Sequence, residues 1–199
     1  MRSLQTPTTV SYTHLDVYKR QPTESKKNGY LVIDHYGEAG AQAIIDYWVN
    51  DVIPAVGEDL FRAASRSIFC DSLEQSGNWS HQMIKTFREE KGYDISPYLF
   101  LLTSPNSLED STRVDVIKRD YYDVLTTCFN EYHLRPIREF CYDYGMTLRY
   151  QTAYGKTLEL ASTAANVDIP EGEAMMIRFP IDNVRAQAGA VHTLSLIHI

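Results

Sequence analysis

The chain has 199 residues, of which 44% are hydrophobic and 12% aromatic, and its formal net charge is -7. This composition suffices for one globular domain with a hydrophobic core. It disfavours nucleic acids and anionic membranes as partners, because both need clustered Lys and Arg side chains, and the sequence contains no such cluster.

Both ends of the chain match a translated DNA adapter. The mosaic-end repeat of transposase-based library preparation reads CTGTCTCTTATACACATCT on one strand and AGATGTGTATAAGAGACAG on the other. Its translations include VSYTHL, DVYKRQ and LSLIHI, which stand at residues 10–15, 16–21 and 194–199. We therefore expect residues 10–21 and 194–199 to be foreign, residues 1–9 to be of uncertain origin, and residues 22–193 to be an internal piece of a larger protein.

The first half of residues 22–193 predicts two strands and two helices. The run YLVI (30–33) is apolar, and the helix after it is indicated by side chains at helical spacing: Ala41, Ile44, Ile45, Trp48 and Val52. Pro54 and Gly57 are expected to end this helix. SIFC (67–70) predicts a buried strand that leads into the polar loop DSLEQSGNW. Ser80 is placed to cap a helix that stops at Gly92, and YDISPYL continues as a loop.

The second half predicts a long helix and two more strand–helix pairs. The long helix spans residues 111–144, with Pro136 dividing or kinking it and Gly145 ending it. MTLRY (146–150) and VDI (167–169) predict strands, while KTLELASTA and IDNVRAQAGAVH predict helices. This alternation indicates an α/β fold with a parallel sheet. Short strands that end in polar clusters favour a partial (β/α)8 TIM barrel of three to four βα units over an open sheet.

Cysteine spacing and hydropathy give no support for a disulfide framework, a zinc site or a membrane span. Cys70, Cys128 and Cys141 are odd in number and show no CxxC spacing, so neither a disulfide framework nor a zinc site is supported. We expect three buried free thiols. No run of 18 apolar residues occurs, so no membrane span is predicted.

Polar, acidic or aromatic residues follow each of three predicted strands: Asp71, Ser72, Glu74, Asn78 and Trp79; Gln151 and Tyr154; and Asp168, Glu171 and Glu173. In a barrel the carboxyl ends of the strands converge on one mouth. Carboxylates can hold sugar hydroxyls and transfer protons, and aromatic faces can stack on C–H surfaces. Glycoside hydrolysis requires two carboxyl groups, about 5 Å apart for retention and about 6.5 to 9.5 Å apart for inversion. The sequence therefore predicts a carbohydrate site.

Several of these residues also have simpler interpretations. Asp71 and Ser72 could cap a turn, and Trp79 could be a hydrophobic staple at the start of a helix. Glu171 and Glu173 could form a solvated helix start that the helix dipole favours. The repetition of the pattern at three strand ends favours the functional interpretation.

At these residues the chain resembles the α-L-rhamnosidases of glycoside hydrolase family 106, bacterial enzymes with a (β/α)8 catalytic domain. Four stretches carry the resemblance: GYLVIDHY, FCDSLEQSGNWSHQMIKTFREEKGYDISPYL, MTLRYQTAYG and VDIPEGE. They stand in the family's order and cover most of residues 22–193. The combination of DSLE, a following NW and a later GYD-x-x-PYL is the most specific of these motifs.

The resemblance implies removal of terminal α-L-rhamnose with inversion at the anomeric carbon, and calcium often bound at the sugar. Glu74 matches the family's general acid, which needs a raised pKa. Glu173 matches a site glutamate that serves as a sugar or calcium ligand, with the role of base left open. Asp71, Asn78 and Trp79 are expected to shape the rhamnose pocket, together with Gln151, Tyr154 and Glu171 as substrate-binding residues.

Two departures from the family pattern stand out. Many members carry Glu where this chain has Gln151, which weakens the calcium prediction because calcium prefers carboxylate oxygens. Relatives continue from a helix like VRAQAGAVH into a strand whose end supplies a further Glu, the expected base. We therefore expect the chain alone to be inactive, and the parent enzyme to be periplasmic or secreted in a bacterium sampled by metagenomic sequencing.

Two rival functions remain open from the sequence. One is a retaining glycosidase on the same barrel, which the separation of the two carboxyl groups would distinguish. The other is a catalytically silent glycan-binding barrel, which the amide at Gln151 makes conceivable. Linkage preference, aglycone, oligomeric state and accessory domains are not predicted.

Overall fold

The computed structural model describes residues 33–71, 73, 77–103, 111–153, 156–172 and 181–193. The backbone divides into two units, Met1–Ile33 and Asp34–Ile199, and all the described elements belong to the second unit. The segments interpreted as adapter, and the predicted strand YLVI apart from Ile33, lie outside the described residues.

The first group of elements extends to Thr103. It comprises α1 (Glu38–Tyr47), a π-helical segment (Trp48–Val52), α2 (Ile53–Val56), α3 (Glu58–Ala64), β1 (Ser67–Cys70), α4 (Gln82–Lys91), a 3-10 turn (Ser96–Tyr98) and α5 (Leu99–Thr103). The predicted loop over YDISPYL is thus partly helical. Proline has no N–H to donate, and the first turn of a helix needs none, so Pro97 is compatible with the 3-10 turn there.

The second group begins at Ser111. It comprises α6 (Ser111–Phe129), a second π-helical segment (Asn130–Leu134), α7 (Arg135–Asp143), β2 (Thr147–Tyr150), α8 (Leu160–Ala165), β3 (Ile169–Pro170) and α9 (Ile181–Thr193). Every strand and helix predicted in this half has a counterpart, although α8 begins at Leu160 within the predicted helix and β3 begins two residues after the predicted start at Val167.

Each π-helical segment stands directly before a helix with proline in its first turn. The N–H of Ile53 donates to the carbonyl of Trp48, and the N–H of Arg135 donates to the carbonyl of Asn130, five residues back in both cases. A wider turn there relieves the clash between a proline ring and the carbonyl four residues earlier. Of the two residues predicted to end the first helix, Gly57 does so, while helical backbone continues past Pro54 to Val56. The predicted division at Pro136 is observed.

Local side-chain chemistry sets the other helix ends. The Oγ of Ser80 accepts the N–H of Gln82 at 3.3 Å, so Ser80 supplies the predicted cap of α4. Gly57, Gly92 and Gly145 have φ values of 91°, 74° and 70°, and each follows a helix end. L-residues with a Cβ rarely adopt such angles, so glycine is required there.

The three strands form one parallel sheet in the order β1-β2-β3. Ser67 pairs with Thr147, Cys70 pairs with Tyr150, and Tyr150 pairs with Pro170. Parallel strands joined by helices confirm the predicted α/β class. The partial TIM barrel stays a prediction.

The two faces of the sheet differ in burial. Ile68, Leu148 and Tyr150 are buried, and the Tyr150 hydroxyl lies 2.9 Å from Nε2 of His133 in the second π-helical segment. On the opposite face, Phe69 on β1 and Ile169 on β3 are 45% and 44% exposed, and both align with Arg149 on the strand between them. Within the described part of the chain, the helical layer therefore covers one face of the sheet.

Helix α6 supplies much of the core through its predicted stripe. The buried members of that stripe are Val114, Ile117, Tyr121, Val124, Leu125, Cys128 and Phe129. All three cysteines are free, but only Cys128 and Cys141 are buried, while Cys70 is half-buried at the end of β1. Burial raises the pKa of the Cys128 thiol to about 11 and that of Cys141 to about 12, so both stay protonated at neutral pH. None of the described helices has the length and apolar composition needed to cross a membrane.

Candidate functional site

The carboxyl ends of the three strands bring Asp71, Gln151 and Glu171 into one row. Each follows a residue of the register set Cys70, Tyr150 and Pro170. The N–H of Gln151 donates to the carbonyl of Cys70 at 3.0 Å, and the N–H of Glu171 donates to that of Tyr150 at 2.9 Å. Neighbouring strands lie about 4.8 Å apart, so the three residues stand side by side. We call them the strand-end row.

The middle member of the row carries a buried hydrogen-bond acceptor. Gln151 is buried, and its Oε1 has no hydrogen-bond partner among the described residues; the same holds for Oγ1 of Thr152. A buried polar atom without a partner is costly, and native structures usually satisfy it with water, an ion or a ligand. Asp71, beside it, is exposed. This end of the sheet therefore offers oxygen atoms to a ligand that can donate hydrogen bonds.

Glu171 is held by a residue that the sequence pattern alone did not single out. Nε of Arg149 lies 2.6 Å from the Glu171 carboxylate, and the Arg149 guanidinium lies 5.3 Å from the centre of the Phe69 ring. The carbonyl of Glu171 accepts from Gln187 on α9 at 3.0 Å. Glu171 thus directly follows β3. Strand alternation could have identified Arg149, since it lies between the buried positions Leu148 and Tyr150.

Asp168, a predicted strand-end residue, instead stands before β3. Its carboxylate accepts from Arg138 of α7 at 2.8 Å, from the Tyr142 hydroxyl at 2.5 Å and from the N–H of Leu148 at 2.8 Å. Asp168 is predicted to follow its strand, but β3 begins at Ile169, two residues after the predicted start at Val167, so Asp168 precedes the strand. Asp168 ties the sheet to α7.

Asn78 and Trp79 close the loop between β1 and α4. The Tyr121 hydroxyl donates to the carbonyl of Asn78, while Oδ1 of Asn78 is buried without a partner among the described residues. Burial, followed by the nearby Tyr122, raises the pKa of Tyr121 to about 12, so its hydroxyl keeps its proton. Trp79 is 42% exposed and lines a pocket. The substrate-binding role of Trp79 stays a prediction.

A second anchor fixes the same loop from the other side. The Oγ of Ser80 donates to the Asp34 carboxylate at 2.7 Å, and the other oxygen of Asp34 accepts the N–H of Tyr36 at 2.9 Å. A Cβ on Gly37 would lie 2.6 Å from both Asp34 Oδ2 and Ser80 Oγ, so glycine is needed there. The sequence pattern did not single out Asp34, although it directly follows the predicted strand YLVI, as Asp71 follows SIFC.

The loop after β2 approaches the loop after β1. Nζ of Lys156 lies 3.4 Å from the carbonyl of Gly77, and burial lowers the pKa of Lys156. Ala153 has a φ of 60°, an angle that residues other than glycine adopt rarely and that often marks functional loops. These loops bring an ammonium group to the strand-end side of the sheet.

Four of the predicted site residues lie outside the described residues: Ser72, Glu74, Tyr154 and Glu173. No group of three or more His, Cys, Asp or Glu side chains suited to a metal ion occurs within the described ranges. Of the predicted residues, the structure thus brings together Asp71, Gln151 and Glu171, and it places Asn78 and Trp79 at the end of the loop that Asp71 begins.

Comparison with known proteins agrees with the resemblance seen in the sequence. A family model described as α-L-rhamnosidase of glycoside hydrolase family 106 matches residues 11–185, a range that begins inside the segment interpreted as adapter. A solved rhamnosidase from Novosphingobium sp. PP1Y is similar in fold, with a TM-score of 0.60 and 19% sequence identity. The match covers 71% of this chain and 14% of that one, so the chain spans a small part of that protein. No curated protein sequence matches the chain significantly.

Proposed function

Because the chain belongs to the α-L-rhamnosidases of glycoside hydrolase family 106, we propose that its strand-end row binds the sugar in an enzyme that hydrolyses terminal α-L-rhamnosides. The observation that carries this proposal is the alignment of the strand-end row itself. It places two carboxylates and an unpartnered amide oxygen at the carboxyl edge of a parallel sheet, where ligands of such sheets bind.

The proposed architecture is a (β/α)8 barrel of which this sheet is one part. The support is the sheet face that carries Phe69, Arg149 and Ile169, since a barrel encloses one face of every strand. Phe69 on β1 and Ile169 on β3 are 45% and 44% exposed on either side of Arg149. Exposed apolar side chains of this kind are what a face enclosed in a barrel shows when its three strands are considered by themselves.

The proposed mechanism is inversion with two carboxyl groups. Glu74, three positions after Asp71 in the sequence, protonates the departing glycosidic oxygen, and a second carboxylate removes a proton from the attacking water. Glu173 is either a sugar ligand or this base. Asp71, Gln151 and Glu171 hold sugar hydroxyls, Trp79 and Tyr154 give the site aromatic surface, and Arg149 keeps the Glu171 carboxylate in place.

Calcium is the metal that the family resemblance implies. The row fits in its donor type, because calcium takes carboxylate and amide oxygens, and Oε1 of Gln151 is an unpartnered amide oxygen. Asp71, Gln151 and Glu173 are the proposed ligands. When bound, the ion would hold sugar hydroxyls and offset the charge of the carboxylates. The Arg149 contact to Glu171 supplies part of that charge balance without a metal.

The general acid is tested by changing Glu74 to Gln in the full-length enzyme. On benzyl α-L-rhamnoside, whose leaving group needs a proton, we expect kcat to fall about 100-fold to 10,000-fold with little change in KM. On 2,4-dinitrophenyl α-L-rhamnoside the loss is much smaller, because that leaving group departs unprotonated. Glu89→Gln, the same change at an exposed position of α4, is the matched control. Equal losses on both substrates would refute the acid role of Glu74.

The stereochemistry is tested separately by following the first product with proton NMR. Inversion gives β-L-rhamnose before mutarotation, whereas retention gives α-L-rhamnose first. The second result would leave the rhamnosidase assignment intact and replace the inverting mechanism with a retaining one.

A further inference from the structure

Trp79 stands directly before α4 as an exposed residue between two neighbours that are held in place. The Trp79 side chain is 42% exposed, whereas Ser80 is 4% exposed and Oδ1 of Asn78 is buried. Each neighbour is hydrogen-bonded to a different part of the helical layer. We call residues 78–80 the loop end, and these two contacts hold its backbone on both sides of Trp79.

The first contact joins the loop end to the residues before α1. The Oγ of Ser80 donates to Asp34 Oδ2 at 2.7 Å, and Asp34 Oδ1 accepts the N–H of Tyr36 at 2.9 Å. Because both carboxylate oxygens are bonded, the carboxylate cannot turn away from Ser80 without losing a hydrogen bond, and hydrogen bonds to charged groups are the stronger kind. A Cβ on Gly37 would lie 2.6 Å from both Asp34 Oδ2 and Ser80 Oγ, so the contact requires glycine there.

The second contact comes from α6. The Tyr121 hydroxyl donates to the carbonyl of Asn78. Tyr121 is 6% exposed and belongs to the hydrophobic core, so the packing of its ring fixes the position of the hydroxyl. Hydrogen bonds at the residue before Trp79 and at the residue after it restrict the backbone that carries the indole.

A restricted backbone favours binding by an exposed aromatic side chain. A mobile loop loses conformational entropy when its side chain binds a ligand, and a loop that is already ordered avoids most of that cost. Tryptophan offers a large flat surface with only two side-chain torsions, so on a loop much of its freedom comes from the backbone. The two contacts therefore order Trp79 before a ligand arrives.

We propose that Asp34 and Tyr121 are positioning residues that hold Trp79 in the orientation in which it contacts the sugar. The inference rests on the proposed rhamnosidase activity, in which Trp79 gives the site aromatic surface. Neither positioning residue contacts the substrate, because Asp34 acts through Ser80 and Tyr121 acts through Asn78. Loss of either contact should therefore weaken substrate binding only while the indole of Trp79 is present.

A double-mutant cycle in the full-length enzyme tests this dependence on Trp79. On benzyl α-L-rhamnoside, Tyr121→Phe removes only the hydroxyl and should raise KM about threefold to tenfold, with a smaller change in kcat. In the Trp79→Ala background the same change should alter KM less than about twofold, because the side chain that it orients is gone. Tyr132→Phe removes a hydroxyl that lies 3.2 Å from Oγ1 of Thr86 on α4, and as the matched control it should leave both constants unchanged.

The Asp34 contact is tested with an added methyl group at Gly37. Gly37→Ala places a Cβ 2.6 Å from both bonded oxygens, so it separates Asp34 from Ser80 without removing either side chain. It should raise KM by a similar factor, again only while Trp79 is present. Gly189→Ala, where the added Cβ meets open space, is the control. Ser80→Ala, which removes the donating hydroxyl, replaces Gly37→Ala if that variant does not fold.

The outcomes separate this inference from the proposed activity. Equal effects of Tyr121→Phe with and without Trp79 would overturn the inference, because the hydroxyl would then act independently of the indole. An unchanged KM in Trp79→Ala would also overturn it and would leave the rhamnosidase activity in place.

If the wild type hydrolyses no rhamnoside, the proposed activity fails, and fluorine NMR of the full-length enzyme labelled with 5-fluorotryptophan then tests the positioning of Trp79. The Trp79 resonance is assigned by its loss in Trp79→Phe. It should shift or broaden in Tyr121→Phe and in Gly37→Ala but not in Tyr132→Phe. A resonance that stays the same in all three variants overturns the inference.

Discussion

At the scale of single residues, the buried polar groups behind the sheet determine how the strand ends are held. His133 is almost fully buried, with Nε2 2.9 Å from the Tyr150 hydroxyl and its ring 4.7 Å from that of His35 and 5.2 Å from that of Phe129. Burial first, and His35 second, lower the pKa of His133 well below 6.5. Since Tyr150 pairs with Cys70 and precedes Gln151, the neutral imidazole supports the strand-end row from behind.

We predict that this histidine makes the stability of the chain depend on pH. An unfolded histidine binds a proton near pH 6.5, whereas folded His133 does not, so protonation of the unfolded state lowers the unfolding free energy as the pH falls below that value. The slope is up to about 1.4 kcal/mol per pH unit until the folded pKa is reached. Urea denaturation at pH 7, 6 and 5 should show this fall.

The variant that isolates the effect is His133→Gln, which has no titratable ring and should show a flatter pH profile than the wild type. Tyr150→Phe removes the hydrogen bond but keeps the histidine, so it should retain the slope. Parallel profiles for the wild type and His133→Gln would show that His133 does not cause the loss.

Asp168 gives a second prediction at this scale. Its carboxylate joins β2 to α7 through Leu148, Arg138 and Tyr142, and Arg138 is only 25% exposed. Asp168→Asn leaves Arg138 without its anion, and removing one partner of a partly buried pair costs about 1 to 3 kcal/mol. Asp182 is 90% exposed in its ion pair with Arg185, so Asp182→Asn should change the unfolding free energy little. Urea midpoints of the two variants measure the contrast, and equal midpoints would exclude a tethering role for Asp168.

At the scale of elements, the helices begin and end where local backbone chemistry dictates. Two π-helical segments precede Pro54 and Pro136, and glycines with positive φ follow α2, α4 and α7. Glycine and proline act through allowed backbone angles and missing donors, and those effects depend on the adjoining residues alone. The ends of α4 and α7 were therefore predictable, while the passage of helical backbone through Pro54 required the wider turn before it.

A pair of glycine substitutions tests this account of the elements. Gly92 ends α4 with a φ of 74°, so Gly92→Ala forces a Cβ into a left-handed conformation and should lower the unfolding free energy by about 1 kcal/mol. Gly189 lies inside α9 with open space where an added Cβ would stand, so Gly189→Ala should raise it by up to about 1 kcal/mol. Urea denaturation of both variants measures the two changes in unfolding free energy, which should have opposite signs. A stabilising Gly92→Ala would show that its positive φ is not needed.

At the scale of the whole molecule, the difference between the two faces of the sheet is the main consequence of the fold. Ile68 is 8% exposed, and its neighbour Phe69 is 45% exposed, because successive strand residues point to opposite faces. The buried face is packed under the helical layer. The open face presents Phe69 of β1 and Ile169 of β3 as apolar surface on either side of Arg149, and such surface promotes association.

Neighbouring strand positions should therefore respond differently to the same substitution. Ile68→Thr places a hydroxyl in the core and should cost about 2 kcal/mol or more of unfolding free energy. Phe69→Thr should change stability by less than about 1 kcal/mol while reducing the binding of a hydrophobic dye and the light scattering of the chain. If both variants lose the same stability, or if dye binding is unchanged in Phe69→Thr, the open face is not as described.

The sequence by itself determined the α/β class, the bounds of β1, the stripe of α6 and the polar residues after each strand. These features follow from hydrophobic periodicity and from glycine, proline and capping chemistry, all of which act between residues close in the chain. Tertiary structure decided which of the polar residues meet. Strand register aligns Asp71 with Gln151 and Glu171, and α6 contributes Tyr122 to the same pocket as Trp79. Because β3 begins at Ile169 and not at Val167, Asp168 precedes the strand and binds Arg138. These contacts join residues far apart in the chain, and local patterns carry no information about such distances.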